Sequence, residues 1–151
     1  MKKDGKIKLI SSISLLIIVL DQLTKYIISK SLTLNQSIEL LPFLKLTLIH
    51  NTGAAFGLFR GMQWLSVLFA LLVTAIIIYY LNKIPEKDKL LQTSIALILG
   101  GAIGNLIDRM LFGYVIDFID MVFWPAFNIA DSAISIGAVL LVISFLRTKK
   151  K

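Results

Sequence analysis

Cysteine is absent from this chain, and its absence removes several functions at once. No disulfide, thiol nucleophile or cysteine-based metal site can form, and the chain cannot itself carry a lipid-modified cysteine. Histidine is nearly absent too: the single His50 provides no metal cluster, and neither a metal nor a cofactor is called for. Acidic residues are sparse, 9 Asp and Glu against 16 Lys and Arg, which leaves a formal net charge of +7. The cations gather beside apolar runs. That placement suits anionic lipid head groups and topology control and argues against nucleic acid as a partner. Apolar residues, by contrast, fill 57% of the 151 positions, and the mean hydropathy is +0.84. Soluble domains sit nearer roughly 45–50% apolar.

The excess falls into four runs. They predict membrane-spanning helices over about residues 7–28, 61–81, 90–112 and 128–146, within one integral-membrane domain covering residues 1–151. Each approaches the roughly 20 residues a helix needs to cross a bilayer core. Helices are required there because lipid offers backbone polar groups no partner. The N-terminus resembles a signal peptide, with Lys2, Lys3, Lys6 and Lys8 ahead of an uncharged run, but Asp21-Gln22-Leu23-Thr24-Lys25 follows in place of a small-residue cleavage site. It reads as an uncleaved first span. The N-terminal lysines, the linker with Lys83, Lys87 and Lys89, and the tail Arg147-Thr148-Lys149-Lys150-Lys151 fall on one side of an even number of spans. The positive-inside rule makes that side, with both termini, cytoplasmic.

Residues 29–60 and 113–127 then face outward. The first is too long for a simple turn. Its stretch Phe43-Leu44-Lys45-Leu46-Thr47-Leu48-Ile49-His50 sets three leucines on one face, a strand pattern broken by Asn51-Thr52-Gly53. The expected fold is an all-α membrane protein: four transmembrane helices with a small, partly β extracytoplasmic platform on the membrane–water boundary. Trp124-Pro125 should lie at that boundary too.

Asp117 and Asp131 stand out, fourteen positions apart and each in an apolar frame. A carboxylate at membrane depth costs about 2.5–3.5 kcal/mol on insertion scales. Two readings remain open: they share a proton, as in an aspartic protease, or they line a polar path, as in a transporter. Plainer roles stand beside these. Asp131, three residues after Asn128, can cap the fourth helix; Asp117 can be a solvated loop acid; Asp120 reads as a loop residue. Asp21 and Lys25 are spaced to meet on one helical face, with Lys25 snorkelling toward the outer surface. Asn51 either clamps an extended backbone or only turns the chain. His50 reads as a surface residue. Gly100 and Gly104 form a G-x-x-x-G suited to close helix packing. Asn105 shares a face with Asp108 and Arg109, and the Arg109 fork can hold a substrate carbonyl.

Five segments in order resemble the lipoprotein signal peptidases, also called signal peptidase II or prolipoprotein signal peptidase. They are Asp21-Gln22-Leu23-Thr24-Lys25, Asn51-Thr52-Gly53-Ala54-Ala55-Phe56, Gly104-Asn105-Leu106-Ile107-Asp108-Arg109, Val115-Ile116-Asp117-Phe118 and Phe127-Asn128-Ile129-Ala130-Asp131-Ser132. The resemblance implies an aspartic endopeptidase of the bacterial inner membrane that cuts diacylglyceryl-modified prolipoproteins before the lipidated cysteine; a monomer is expected. It implies Asp117 and Asp131 as the catalytic dyad. Asn51, Asn105, Arg109 and Asn128 would position substrate or dyad, Asp21 and Asp108 would support the site, and globomycin would inhibit. Two other classes compete with it: a small proton-coupled exporter using Asp21, and a structural membrane subunit.

Overall fold

A computed structural model describes residues 3–53 and 63–148. It contains helices α1 (Lys3–Ser31), α2 (Gln63–Tyr80), α3 (Lys89–Phe112) and α4 (Ile129–Thr148), and strands β1 (Ser37–Leu41), β2 (Leu44–Asn51), β3 (Val115–Met121) and β4 (Trp124–Phe127). The start of the second expected span, residues 61 and 62, lies outside the described residues. So do Arg60, the stretch 54–57 after Gly53, Lys2 and the lysines 149–151.

Four helical stretches are long and apolar enough to cross a bilayer: Gly5–Ser31, Trp64–Lys83 (α2 with the 3-10 turn that follows it), Lys89–Phe112 and Ile129–Arg147, with mean hydropathies of 1.8, 2.3, 1.7 and 2.2. Leu15, Phe69, Val139 and Phe145 turn outward and are exposed, as they should be where the solvent is lipid. This is a multi-pass membrane protein. α3 is the central helix, with α1, α2 and α4 packed on it. Small residues permit the close approach: a Cβ on Gly100 would sit 2.8 Å from the Ser14 carbonyl oxygen of α1, and one on Gly101 would collide with the Ala130 carbonyl of α4.

The chain order puts both strand pairs at one end of the bundle, where α1 and α3 finish and α2 and α4 begin. α3 stops at Gly113, whose φ of 78° is the left-handed conformation glycine tolerates, and whose N–H caps the Arg109 carbonyl at 3.1 Å. The strands form one antiparallel sheet in the order β1-β2-β3-β4, joining the two outer segments. β2 pairs with β3 through Asn51↔Val115, Ile49↔Asp117 and Leu46↔Ile119, with a bulge between Leu46 and Ile49. Ile116 and Phe118 pack with Leu48 against Ile28 and Leu32 at the end of α1. Asp117, between them, therefore faces the opposite side.

Two expectations need correction. Residues 113–127 form β3 and β4, because pairing with β2 satisfies backbone groups that a loop there would leave to water. Asp120 is accordingly a strand residue, its Oδ2 accepting from the Thr47 hydroxyl at 2.7 Å. Lys25 does not snorkel: it is 2% exposed. Three acceptors from α1 and α3 hold its ammonium inside the bundle, which removes the reason to reach for water.

Candidate active site

The C-terminal half of α3, strand β3 and the first turn of α4 meet where the helices join the sheet. Asp117 is 1% exposed and Asp131 is partly buried, and both line one cleft of about 560 Å³. Asn51, Asn105, Arg109 and the β4 segment Trp124–Phe127 form its walls.

Amides hold both carboxyls. Asn51 sits diagonally across from Asp117 in the sheet, and its Nδ2 donates to Asp117 Oδ2 at 2.8 Å. Its Oδ1 accepts from the Gly53 N–H at 3.0 Å. Asn51 therefore turns the chain through its Oδ1, while its amide nitrogen meets the Asp117 carboxyl. Asn128 Nδ2 donates to Asp117 Oδ1 at 2.8 Å, and Asn105 Nδ2 donates to Asp131 Oδ1 at 2.7 Å. The Asn128 N–H reaches Asp131 Oδ2 at 3.3 Å. Each of the four carboxyl oxygens thus has a donor. Burial raises Asp117 from its ordinary value to about 7, and the charge of Asp131 adds to the rise; the hydrogen bonds from Asn51 and Asn128 and the Lys25 charge oppose it. A carboxyl that titrates near neutrality can give or take a proton there.

Arg109 lines the same cleft. Its guanidinium donates one long hydrogen bond, 3.4 Å to the Asn105 carbonyl, and it forms no ion pair among the described residues. Several of its N–H donors have no hydrogen-bond partner among the described residues. A second cleft of about 710 Å³ shares Asn105, Arg109, Asp131 and Ile134 with the first and continues between α2, α3 and α4 along Phe69, Val73, Ile98 and Ala138. The cleft beside the sheet, the more polar of the two, thus continues into a more apolar one within the bundle.

Beneath the aspartates lies a buried ionic cluster. Asp21 points into the bundle at 0% exposure and Asp108 is 1% exposed. Lys25 Nζ lies 2.7 Å from Asp21 Oδ2 and 2.9 Å from Asp108 Oδ2. Gln22 donates to Asp108 Oδ1 at 2.8 Å and to the Gly104 carbonyl at 3.2 Å. Sequence reasoning missed Gln22 and misplaced Lys25. A usable signal was present: three polar residues within one turn of an apolar span need partners at that depth. His50 stays outside both clefts; it stacks on Tyr114 with ring centroids 3.8 Å apart, and burial holds its imidazole below the usual range. Among the described residues, no group of three or more His, Asp or Glu side chains is placed to hold a metal.

Comparison with known proteins gives one consistent result. The family model described as Signal peptidase (SPase) II matches residues 13–147. A lipoprotein signal peptidase of Alteromonas mediterranea is 44% identical over 147 residues, covering 92% of this chain and 81% of that protein. One of Bacillus pumilus is 45% identical over 144 residues, covering 92% and 93%. Among solved structures, a bacterial membrane enzyme determined by the in meso method at 2.3 Å superposes with a TM-score of 0.87 at 35% identity, covering 93% of this chain and 88% of that one. A second, at 1.9 Å, gives 0.82 at 36% identity, covering 91% and 92%.

Proposed function

The chain belongs to the signal peptidase II family, and from that premise we propose that it is an intramembrane aspartic endopeptidase with Asp117 and Asp131 as its dyad. Its substrates are diacylglyceryl-modified prolipoproteins, cut on the N-terminal side of the lipidated cysteine. The observation that carries this reading is that two carboxyls line one cleft and are both gripped by Asn128, one through its side chain and one through its backbone.

Lining one cleft and both bonded to Asn128, the two carboxyls share one proton in this reading, because both cannot ionise cheaply. The ionised member takes a proton from a water molecule as its oxygen attacks the peptide carbonyl carbon. The protonated member hydrogen-bonds the carbonyl oxygen. The tetrahedral intermediate then collapses, the C–N bond breaks, and a dyad proton passes to the departing amine. The pair titrates as a unit, so the two roles belong to the dyad and not to fixed residues. Arg109, with donors turned to the cleft, holds substrate carbonyls. Asn51, Asn105 and Asn128 hold the dyad, with Asp21 and Asp108 behind it.

The neighbouring apolar cleft suits the signal peptide's hydrophobic segment, while the polar cleft takes the extended backbone around the scissile bond. Lipid is the second partner. The tips of the two hairpins lie side by side and present Leu40, Leu41, Phe43, Val122, Phe123 and Trp124, all exposed. Such a rim fits the acyl boundary of the outer leaflet, where a lipidated cysteine waits. The protein acts as a monomer in the bacterial inner membrane, its termini are cytoplasmic by the positive-inside reading of its lysines, and globomycin-type peptides block it at the dyad.

The test is incubation of the purified protein with a diacylglyceryl precursor in detergent, scored by a size shift. Cleavage is expected for the wild type and none for Asp117→Asn or Asp131→Asn, with expression and substrate binding retained. Substantial turnover by either variant would reject the dyad. Cleavage in detergent, where no gradient exists, also separates a peptidase from a proton-coupled exporter, and a purely structural subunit would tolerate the isosteric Asp117→Asn.

A further inference from the structure

The ammonium of Lys25 has three donors, and each has an acceptor: Asp21 Oδ2 at 2.7 Å, Asp108 Oδ2 at 2.9 Å and Asn105 Oδ1 at 3.0 Å. Each acceptor residue reaches onward to the dyad. Asp21 Oδ1 accepts from the N–H of Ala130, the residue before Asp131, at 2.9 Å. Asp108 Oδ2 accepts from the N–H of Ile116, the residue before Asp117, at 3.0 Å. Asn105 donates from Nδ2 to Asp131 itself. One nitrogen on α1 is therefore joined through single residues to the backbones bearing both aspartates and to one of their carboxyls.

We infer that Lys25 is a positioning residue that fixes the placement of Asp117 relative to Asp131 and the orientation of the Asn105 amide. The inference rests on the dyad reading above and deepens it. Asn105 offers an oxygen and a nitrogen of nearly equal shape. With its oxygen on the ammonium, only the nitrogen can face Asp131. Asn128 Nδ2 also donates to Asn105 Oδ1, at 3.1 Å, but that amide serves Asp117 and the Ile116 carbonyl as well. Two hydrogens there divide among three acceptors. Without Lys25, Asn105 can flip and present an oxygen to a carboxylate, and Asp21 and Asp108 are left as unpaired buried charges pushing apart. Fold stability alone does not demand the arrangement, since buried ion clusters are often replaceable by apolar residues without loss. Lys25 lines neither cleft, so its effect should pass through dyad geometry and leave substrate affinity alone.

The chain's lack of cysteine makes a rescue experiment clean. Lys25→Cys is prepared, aminoethylated in denaturing detergent to restore an ammonium on a near-isosteric arm, and refolded beside a carboxamidomethylated control; Lys25→Met is made without refolding. Wild type and Asp117→Asn run in the same cleavage assay. The expected result is a kcat lower by about 100-fold for Lys25→Met and Lys25→Cys, the loss that misplaced reacting groups bring, with KM within about 3-fold. Aminoethylation should recover most of kcat, and carboxamidomethylation none. A kcat near wild type in Lys25→Met, a loss confined to KM, or no recovery in aminoethylated protein that melts like wild type would overturn the inference. If instead the wild type fails to cleave, the parent reading falls.

Discussion

Asn128 and Asp131 cap one another: Asn128 Oδ1 accepts from the Asp131 N–H at 2.9 Å, and Asp131 Oδ2 accepts from the Asn128 N–H at 3.3 Å. This reciprocal pair closes the first turn of α4 in the manner of a capping box. The plain capping role and the proposed catalytic role of Asp131 are thus compatible, because its other oxygen is held separately by Asn105.

The two duties of Asn128 can be separated. Serine keeps a capping oxygen but is too short to donate to Asp117. Asn128→Ser should melt within a few degrees of wild type while kcat falls by about 10- to 100-fold. Asn128→Ala should lose the cap as well, costing about 1 kcal/mol more. Thermal melts in detergent beside initial rates check this. Parallel losses of melting temperature and kcat in the serine variant would assign Asn128 to capping alone.

Burial, with the Asp131 charge behind it, raises Asp117 to about 7. The unfolded chain releases that proton at its ordinary, lower value. As pH rises between the two values the unfolded state holds fewer protons, so native stability falls. The contribution is whole below about pH 4 and gone above about pH 7. Asp117→Asn lacks the titration, so its melting temperature should gain on the wild type as pH climbs across that window and then run parallel to it. Wild-type kcat/KM should also decline above about pH 7, where the shared proton is lost. A melting difference that ignores pH would show that Asp117 is not held in a strained ionisation state.

Glycines at the α3 interfaces should be irreplaceable for different reasons. A Cβ on Gly104 would stand 2.8 Å from Asp21 Oδ2, whereas one on Gly5 meets nothing within 4 Å. Gly104→Ala should displace Asp21 from the Ala130 N–H, lowering kcat by about 10-fold or more and stability by about 1–3 kcal/mol, the usual cost of overpacking. Gly101→Ala should be worse, because its neighbour is the Ala130 backbone and cannot swing away. Gly5→Ala should leave both melting temperature and cleavage unchanged.

The spans, the leucine-faced strand and the two aspartates Asp117 and Asp131 were legible as features because hydropathy and carboxylates stranded in apolar frames are local signals, whereas Asn105, Asn128 and Arg109 were drawn to the same site by the family resemblance. Strand β3 was not. Its alternation is weak, since Ile119 and Met121 break the pattern around Asp117 and Asp120, and only pairing with β2 some seventy positions earlier makes it a strand. Lys25 was misjudged for a similar reason. Its spacing to Asp21 is local, but the partners that bury it, Asp108 and Asn105, arrive from α3 through tertiary packing. Asn51 likewise shows a turn in sequence, and only the sheet register aims its amide at Asp117.

The hairpin tips give a prediction independent of catalysis. β3 pairs with β2 as far as Leu44↔Met121, which lays the turn at Val122 and Phe123 beside Phe43, and the Val122 N–H approaches the Phe43 carbonyl at 3.5 Å. Phe123 is 73% exposed, an expensive placement in water for a side chain that large. Trp124, which also walls the cleft that Asp117 and Asp131 line, is the residue type that favours the bilayer boundary. The tip should therefore dip into the outer leaflet and hold the mouth of the cleft at the depth of a lipid-anchored cysteine. In this cysteine-free chain, Phe123→Cys can carry one environment-sensitive fluorophore. Reconstituted in vesicles, it should emit as in an apolar medium, be quenched by lipids spin-labelled near the head group, and resist iodide. A label at Gly5, at the end of α1 away from the sheet, should not share the response from the outer leaflet. Aqueous emission with full iodide quenching at position 123 would detach the sheet from the membrane and leave the cleft facing water.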